Sequence, residues 1–425
     1  MVIRRPTVAI CEGAPNRLLA QFASVLLACS APQYLGSAVA SDENLRGASV
    51  QSLPRAGYQP HEIRLGATTF APSLLIDATN NNNIFARSTG VTGDTIFSFA
   101  PSVAIRKTTS KLTLSSNIFA NILRFAKHAE ENVNTFGLDG SAGYKLNHAT
   151  SATVNASYQR VYLRRIDPQP PNPGLPPALI DATSVGLGYQ FQPHTFGISS
   201  GIGISKTAYR DPIFADRNLT TYRGNVRGLF AASHHVNLFV EGFLNHRDFA
   251  TSVDLGGVNR DSVTKGLNLG ATLDISGHWT GDISIGLFHA EPHDPSLRSF
   301  SGLGMNGSVT WHPQTRTSVS LDVFSGDVAT IQSGAYGRTD MNVSLEIEQE
   351  AHHNLLLHAN FAHRDANFRG GGLEKVTLVT SAGAEYLLNG RASMTIDFSR
   401  TRRTTNTGND EFVQDEVRIG TRLRY

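Results

Sequence analysis

The sequence predicts an all-β protein: a transmembrane, antiparallel, up-and-down β-barrel of about eighteen strands, with sixteen as the alternative. Three observations predict it. Apolar and polar residues alternate along most of the chain, short and long connections alternate between the strands, and the last strand ends on an aromatic residue, Tyr425. Together they indicate a closed sheet with an apolar face toward lipid and a polar face toward a lumen.

The composition agrees with a barrel. Hydrophobic residues make up 40% of the 425 residues, and beyond Ala40 no run reaches the ~18 apolar residues that a transmembrane helix needs. In a barrel only alternate residues face lipid, so the average hydropathy stays moderate. The charges nearly balance, with 37 Lys and Arg against 35 Asp and Glu. This balance gives no reason to expect a nucleic-acid partner.

The N-terminus has the three parts of a secretory signal peptide. Arg4, Arg5 and Arg17 supply positive charge. Residues 18–29 are largely apolar, and Ala38–Ala40 has the A-x-A pattern of a cleavage site. The pattern therefore predicts export from the cytoplasm.

Both cysteines, Cys11 and Cys29, lie before this cleavage site. The mature chain is expected to carry neither a thiol nor a disulfide, which fits a protein of the oxidising periplasm and envelope. Leu26–Cys29 leaves one alternative open, because it resembles a lipoprotein box whose cleavage would leave an acylated Cys29.

We divide the chain into three parts. Residues 1–40 are the predicted signal peptide, residues 41–60 an N-terminal extension in the periplasm, and residues 61–425 the barrel. The extension has no clear periodicity and contains Gly, Ser and Pro, which favours an extended tail.

Met341–Glu348 has the clearest alternation, with every odd position apolar and every even position polar. A helix would scatter these apolar residues around its circumference, whereas a strand places them on one face. Similar segments recur at Leu267–Asp274, Val319–Val323 and Met394–Ser399. A succession of such strands indicates closure, since open edges would invite aggregation.

The connections between the segments alternate in kind. Short polar turns are predicted at Lys107–Ser110, Asn147–Thr150, Gln192–Thr195, Ser233–His235, Ser276–His278, His312–Thr315, Glu350–Asn354 and Asn389–Arg391. Longer irregular connections are predicted at Asn80–Gly93, Lys127–Asn134, Asp167–Ala178, Asp211–Asn218, Ala250–Asp261, Glu291–Leu297, Asp327–Ala335, Asp365–Gly372 and Thr404–Asp410. This arrangement is typical of outer-membrane barrels, with the short turns in the periplasm.

The last strand supplies an independent indication. Val417, Ile419, Thr421, Leu423 and Tyr425 share one face, and the chain stops at the aromatic residue. The pattern resembles the C-terminal signal of bacterial outer-membrane proteins, so Ile419, Leu423 and Tyr425 are predicted to be read by the barrel-assembly machinery.

Two tryptophans and three other aromatic residues lie beside predicted short turns: Trp279, Trp311, Tyr144, Phe196 and Tyr386. Amphipathic rings favour the interface between lipid and water, so these residues are expected to form a periplasmic girdle. The alternative is that the tryptophans pack in an ordinary core.

No motif for catalysis or for metal binding stands out. Ser, His and Asp are abundant, but no segment has the context of an activated nucleophile. Several of the fifteen histidines lie at predicted short turns: His148, His194, His234, His235, His278, His312, His352 and His353. Because successive turns ring a barrel, these side chains do not converge on one coordination sphere. We therefore expect no metal or other cofactor, and we do not expect an enzyme.

Charged residues that are out of phase with the apolar face point into the lumen. The predicted pore-lining residues are Arg106, Arg223, Arg227, Arg364, Arg418, Arg422 and Arg424. Carboxylates are predicted on the same inner face at Glu241, Asp274, Asp282, Asp322, Glu346, Glu348 and Asp397. Rows of opposite charge would set the ion selectivity of a water-filled pore. Alternatively, the charges neutralise one another and brace the wall.

Several segments are similar to the putative β-barrel porin 2 family. They are Phe70–Leu74, Asn82–Phe85, Ser252–Ser262, Gly302–Pro313, Glu350–Leu355, Arg364–Asp365 and Tyr386–Asn389. At Asn82 the family pattern has Asp, so this position departs from it. The resemblance covers most of residues 60–425 and implies an outer-membrane barrel that is linked with exopolysaccharide or capsule production. It supplies no catalytic residues.

The leading hypothesis is a channel in the outer membrane of a Gram-negative bacterium that passes polar or anionic solutes and supports polysaccharide export. The alternative is a non-conducting barrel that binds a glycan or anchors the export machinery. A third hypothesis, a membrane-embedded hydrolase, requires polar side chains that converge at one rim. The expected partners are outer-membrane lipid, the barrel-assembly machinery, and polysaccharide or proteins of an export system.

Overall fold

The computed structural model describes residues 49–425 except 171–173, 252, 254–256, 276–277 and 333. The predicted signal peptide with both cysteines, and residues 41–48, lie outside the described residues. The described chain forms nineteen strands in one sheet. No helix in this part of the chain is long and apolar enough to cross a membrane.

The strands follow one another closely along the chain. They are β1 (Ile63–Leu65), β2 (Thr68–Asn81), β3 (Asp94–Thr108), β4 (Leu112–Phe125), β5 (Val133–Lys145), β6 (Thr150–Tyr162), β7 (Leu179–Phe191), β8 (Phe196–Tyr209), β9 (Leu219–Ala231), β10 (Val236–Phe249), β11 (Ser262–Ile275), β12 (Trp279–Pro292), β13 (Phe300–Gln314), β14 (Thr317–Val328), β15 (Gly337–His352), β16 (Leu355–Arg369), β17 (Leu373–Leu387), β18 (Ala392–Thr405) and β19 (Phe412–Arg424). Short 3-10 helices lie at Val50–Ser52, Ala129–Glu131 and Pro212–Arg217.

Eighteen of these strands close into a barrel. From β2 to β19 each strand pairs with the next in antiparallel orientation, and β19 pairs back onto β2. The short strand β1 pairs with Thr68–Phe70 of β2, beyond the stretch that pairs with β19. The predicted up-and-down barrel of about eighteen strands is therefore confirmed. Closure also removes the free edges that an open sheet of this length would expose.

The two faces of the wall differ in polarity because side chains alternate along each strand. In β11, Leu267 and Leu269 are 56% and 57% exposed on the outer face, whereas Asn268 and Thr272 are 8% and 9% exposed on the inner face. Polar groups are sheltered and apolar groups are exposed, which is the reverse of a protein that folds in water. Such an outer surface suits the hydrocarbon of a bilayer.

The connections differ between the two ends of the barrel. At one end, which we call the short-turn end, two to four residues join successive strands. At the other end, the long-loop end, the connections reach sixteen residues between Tyr162 and Leu179. The alternation of short and long connections that the sequence predicts is thus present in the fold.

One predicted long loop is almost absent. β16 continues to Arg369, so the stretch predicted to be irregular from Asp365 is reduced to a turn at 370–372. Gly370 and Gly372 have φ values of 97° and 62°, a left-handed conformation that glycine adopts without strain. The glycine cluster therefore indicates a tight turn rather than a long loop.

A predicted turn is also shorter than expected. β13 continues to Gln314, so most of the predicted turn His312–Thr315 belongs to this strand. The pairing of β13 with β14 is irregular between Trp311 and Gln314. Pro313 is tolerated there because an irregularity does not require its missing backbone N–H.

Aromatic side chains project outward at the short-turn end. Trp279 and Trp311 stack with ring centroids 5.4 Å apart and remain 40% and 38% exposed. Tyr144, Phe196 and Tyr386 are also exposed. The tryptophans therefore lie on the outer surface and not in a core, and rings at this level are suited to the interface between lipid and water.

We expect that Leu269→Arg destabilises the barrel in lipid vesicles by about 2–4 kcal/mol, because it places a guanidinium on the middle of an outer face. Val263→Arg lies on the same face of the same strand, near the long-loop end, and is expected to cost less than about 1 kcal/mol. Urea unfolding of both variants in vesicles measures the difference. Equal losses would contradict an outer face that is buried in hydrocarbon.

Candidate functional site: the barrel lumen

The seven predicted pore-lining arginines all lie on the inner face of the wall, as the alternation requires. They do not form one ring. Arg106, Arg422 and Arg424 lie near the short-turn end, and Arg364 lies toward the long-loop end. The lumen therefore has charge at several levels.

Arg227 is buried in a network near the middle of the wall. Its guanidinium pairs with Glu241 at 2.9 Å and with Asp282 at 3.0 Å. The Glu241 side chain is 0% exposed and also accepts hydrogen bonds from Asn225 and Asn268 at 3.3 and 3.2 Å. The charge of Arg227 is thus neutralised by carboxylates of two other strands.

A second network lies near the short-turn end. Glu385 accepts hydrogen bonds from Arg422 at 3.3 Å, from Arg424, and from Ser393 at 2.6 Å. Arg418 is more exposed, with 26% of its side chain accessible, and lies 3.7 Å from Asp77. The ion pair of Arg418 with Asp77 is therefore longer than that of Arg422 with Glu385.

A third network at the long-loop end includes residues that the sequence interpretation missed. Asp340 pairs with the predicted residue Arg364 at 2.6 Å and with Arg338 at 2.7 Å. Lys375 and Arg403 lie nearby on the inner faces of β17 and β18. The rule of alternation could have found these three cations, since each is out of phase with the apolar residues of its strand.

The loop between β6 and β7 folds into the lumen. Lys375 Nζ donates to the carbonyl of Pro168 at 2.8 Å, and Arg338 donates to Gln169 Oε1 at 3.1 Å. Arg403 donates to the carbonyl of Ile166. These donors lie on β15, β17 and β18, far around the wall from the strands that the loop joins. The described part of this loop therefore crosses the lumen near the long-loop end.

The loop between β14 and β15 also turns inward. At the end of β14, just before this loop, Asp327 Oδ2 accepts a hydrogen bond from Thr264 at 2.6 Å and pairs with Arg247. Ala329 and Ile331 pack against buried side chains at the long-loop ends of β9 and β10. The loop thus covers part of the inner wall at β9 and β10.

The described part of the N-terminal extension enters the lumen from the short-turn end. We call residues 49–58 the N-terminal lumen segment. Val50 is 0% exposed, and its N–H donates to Ser318 Oγ at 3.3 Å. The N–H of Gln51 donates to Glu348 Oε2 at 3.3 Å, and Arg55 Nε donates to Glu350 at 3.2 Å. Along these residues the extension is docked inside the barrel and is not the extended periplasmic tail that the sequence predicts.

Arg55 folds this segment onto itself and onto the wall. Its guanidinium donates to the carbonyls of Val50 and Leu53 as well as to Glu350. Burial lowers the pKa of Arg55, and the neighbouring Glu350 carboxylate opposes that shift. A guanidinium stays protonated under these conditions, so the pair is an ion pair.

A cavity of about 130 Å³ lies along the inner wall from β6 to β14. Its lining combines apolar side chains, such as Phe288, with amides such as Asn225 and Asn268. Ser205 Oγ and Asn306 Nδ2, which also line it, have no hydrogen-bond partner among the described residues. The cavity can therefore offer donors and acceptors to a polar solute.

Among the described residues, neither a metal site nor a nucleophile elbow is found. Within the described residues, no group of three or more His, Cys, Asp or Glu is placed to hold a metal ion. Gly197–Gly201 has the spacing G-x-S-x-G, but it lies inside β8. A nucleophile elbow requires a sharp turn from a strand to a helix, so this segment has the wrong geometry.

The C-terminal residues of the predicted assembly signal lie on the outer face of β19 and beyond its end. Ile419, Leu423 and Tyr425 are 56%, 44% and 53% exposed. The N–H of Tyr425 donates to the carbonyl of Pro72 at 3.2 Å. The last strand therefore completes the closure of the barrel against β2.

The chain is similar in structure to several solved barrels. Outer membrane protein opdK of Pseudomonas aeruginosa has 12% identity and a TM-score of 0.44 and covers 84% of this chain and 99% of its own. OccAB4 of Acinetobacter baumannii has 10% identity, a TM-score of 0.45 and coverages of 87% and 100%. The FrpB iron transporter of Neisseria meningitidis has 9% identity, a TM-score of 0.42 and coverages of 92% and 84%.

Sequence comparison gives a family and no individual relative. No curated protein is significantly similar to the chain. The family model described as putative beta-barrel porin 2 matches residues 55–425, which is the barrel together with the end of the N-terminal lumen segment.

Proposed function

Because the chain belongs to the putative beta-barrel porin 2 family, we propose that it is a channel of the Gram-negative outer membrane that passes small polar or anionic solutes. The short-turn end faces the periplasm and the long-loop end faces the exterior, as is usual for such barrels. One observation carries the proposal: a closed wall of eighteen strands has apolar side chains outside and polar side chains inside.

The contents of the lumen favour a restricted channel. Two loops and the N-terminal lumen segment occupy parts of a space that a barrel of this size would otherwise leave open. Many of the inner charges are paired, as at Arg227 and Arg422. The solutes are therefore small, and selectivity depends on the charges that remain accessible.

The test is the conductance and ion selectivity of the purified protein in a planar bilayer. We expect Arg418→Gln to reduce the preference for anions more than Arg422→Gln, because Arg418 is 26% exposed and Arg422 is 9% exposed. Accessible charge acts directly on ions in the pore. The reversal potential in a KCl gradient measures the preference. Silence of a correctly folded wild-type protein would overturn the proposal.

A non-conducting barrel that binds a glycan or anchors an export machinery is the second candidate. The occupation of the lumen by three segments favours it over an open pore. Support of exopolysaccharide export is proposed from the family resemblance alone. Loss of polysaccharide export on deletion of the gene, with export restored by a variant that does not conduct, would favour the anchor over the channel.

We also propose that the barrel-assembly machinery inserts the protein by recognising Ile419, Leu423 and Tyr425. These side chains project outward from the strand that closes the barrel, where another protein can reach them. Insertion of Tyr425→Ala into the outer membrane, compared with wild type by fractionation, tests this role.

A further inference from the structure

Four cations are concentrated at the long-loop end of the lumen, and the proposed passage of solutes does not by itself explain them. We call them the cation cluster: Arg338, Arg364, Lys375 and Arg403. Their side chains are 1%, 11%, 9% and 0% exposed. Burying a charge is costly unless it is paired, so the partners of these groups are informative.

The carboxylates paired with the cluster do not match it in number. Asp340 pairs with two of the cations, Arg338 and Arg364. Asp410 pairs with the other two, with Lys375 at 2.5 Å and with Arg403 at 3.2 Å. A third carboxylate, Asp167, lies 3.8 Å from Arg164 of its own loop and also acts electrostatically on Arg403. Each carboxylate that pairs with the cluster is therefore shared between two cations.

Other charged groups nearby leave this excess in place. Arg247, which also lies on the inner wall near the long-loop end, pairs with Asp327. This pair is balanced within itself and offers no negative charge to the cluster. Even with Asp167 counted, the four cations face three carboxylates, so the cation cluster keeps a surplus of positive charge within the described residues.

Neutral oxygens of the loop between β6 and β7 accept hydrogen bonds from three cations of the cluster. They are the carbonyls of Ile166 and Pro168 and the side-chain oxygen of Gln169. Donors on three strands thus converge on three oxygens within four residues of chain. Guanidinium groups form stronger hydrogen bonds to ionised oxygens than to neutral ones. The loop therefore fills the donor positions with weaker acceptors than an oxyanion would supply.

We propose that the cation cluster is a binding site for the oxyanion group, carboxylate or phosphate, of a solute, and that oxygens of Ile166, Pro168 and Gln169 stand where the oxygens of that group bind. The inference rests on the proposed function, since it identifies the chemical class that the channel recognises. Binding exchanges neutral acceptors for charged ones, so an anion of the right size competes with the loop.

The test is the effect of inorganic phosphate, and separately of acetate, on the chloride current through the wild-type protein. Either anion is expected to change the current in a saturable way from the long-loop side. The half-effective concentration should rise about tenfold in Lys375→Gln and in Arg403→Gln, because each removes one strong donor. Which of the two anions acts identifies the oxyanion source.

Arg402→Gln is the matched control. Arg402 precedes Arg403 in β18 but is exposed on the outer face, so the variant makes the same charge change outside the lumen. It should leave the half-effective concentration unchanged. Gln169→Glu is a second variant that keeps every cation. Its carboxylate lies against Arg338 and should weaken the response to phosphate by occupying the site permanently.

The outcomes separate the site from the channel. A wild-type current that responds to neither anion, or responds equally in Arg403→Gln and Arg402→Gln, overturns the site and leaves the channel standing. If the wild type carries no current, the channel fails. The site is then tested by the thermal stability of the folded protein in detergent with and without phosphate. Stabilisation by phosphate that is lost in Arg403→Gln and kept in Arg402→Gln supports the site. If phosphate does not stabilise the wild type, the site is overturned.

Discussion

Releasing the N-terminal lumen segment is expected to raise the single-channel conductance about twofold, because it removes chain from the short-turn mouth of the pore. The variant is Val50→Asp combined with Arg55→Ala. Val50 is fully buried, and Glu348 accepts a hydrogen bond from the N–H of the next residue, Gln51, so an aspartate at position 50 is expected to lie close to a like charge. Loss of Arg55 removes the donor that ties three backbone carbonyls to Glu350.

The energetic effect on the segment should be large enough for release. Breaking a buried ion pair costs about 3–5 kcal/mol. The lower end applies to Arg55→Ala, because Glu350 keeps Arg316 at 3.4 Å and His353 at 3.3 Å. The like-charge contact at position 50 adds to this loss. The segment keeps single hydrogen bonds to the wall, such as those of Gln51 to Glu348 and to His358, and these are not expected to hold a short segment against a cost of this size.

Arg64→Ala is the control for the loss of an arginine. Arg64 lies in β1, and its side chain is 75% exposed, so its removal should leave the conductance unchanged. Hydrogen exchange of the N-terminal lumen segment reports its release independently of the current. A released segment with wild-type conductance would mean that the segment does not narrow the path of ions.

Glu241→Gln is expected to destabilise the barrel by about 3 kcal/mol, since it leaves the buried Arg227 guanidinium short of one counter-ion. The Glu241 side chain is 0% exposed and accepts hydrogen bonds from Arg227, Asn225 and Asn268. Asp282 remains at 3.0 Å from Arg227, which is why the loss falls at the lower end of the range for broken buried pairs. Urea unfolding in vesicles measures it.

The matched control is Glu291→Gln. Glu291 pairs with Lys265 at 2.7 Å, but the side chains are 46% and 55% exposed, so the loss should be less than about 1 kcal/mol. The double variant Arg227→Gln with Glu241→Gln should lose less stability than the sum of the losses of the two single variants. Removing both charges leaves less unpaired charge buried in the wall than removing one. Strict additivity would refute the network.

The period of two in the sequence determined the strands and the direction of their side chains. A strand of L-residues sends successive side chains to opposite faces whatever its neighbours are. The alternation in Met341–Glu348 was therefore enough to place Glu346 and Glu348 on the inner face, and the same rule placed Arg227 and Arg418 there. Connection lengths separated the two ends of the barrel for a similarly local reason.

Glycine and proline, in contrast, led to wrong predictions of the lengths of two connections. The cluster Gly370–Gly372 was interpreted as the end of a long loop, and it forms a three-residue turn. Pro313 was interpreted as part of a turn, and it lies in β13 at an irregularity of pairing. In both cases glycine or proline indicates only the local backbone conformation. The same conformation is compatible with connections of several lengths, so the length could not be predicted.

Only the tertiary structure decided which charges meet and what enters the lumen. Arg227 reaches Glu241 on the next strand and Asp282 on β12, and such contacts depend on the register and curvature of the closed sheet. The inward course of the N-terminal lumen segment depends on donors and acceptors that lie some 300 residues away in sequence, such as Ser318 and Glu350. A periodic pattern fixes the face of each residue because the cause is local, whereas these pairings exist only after closure brings distant strands together.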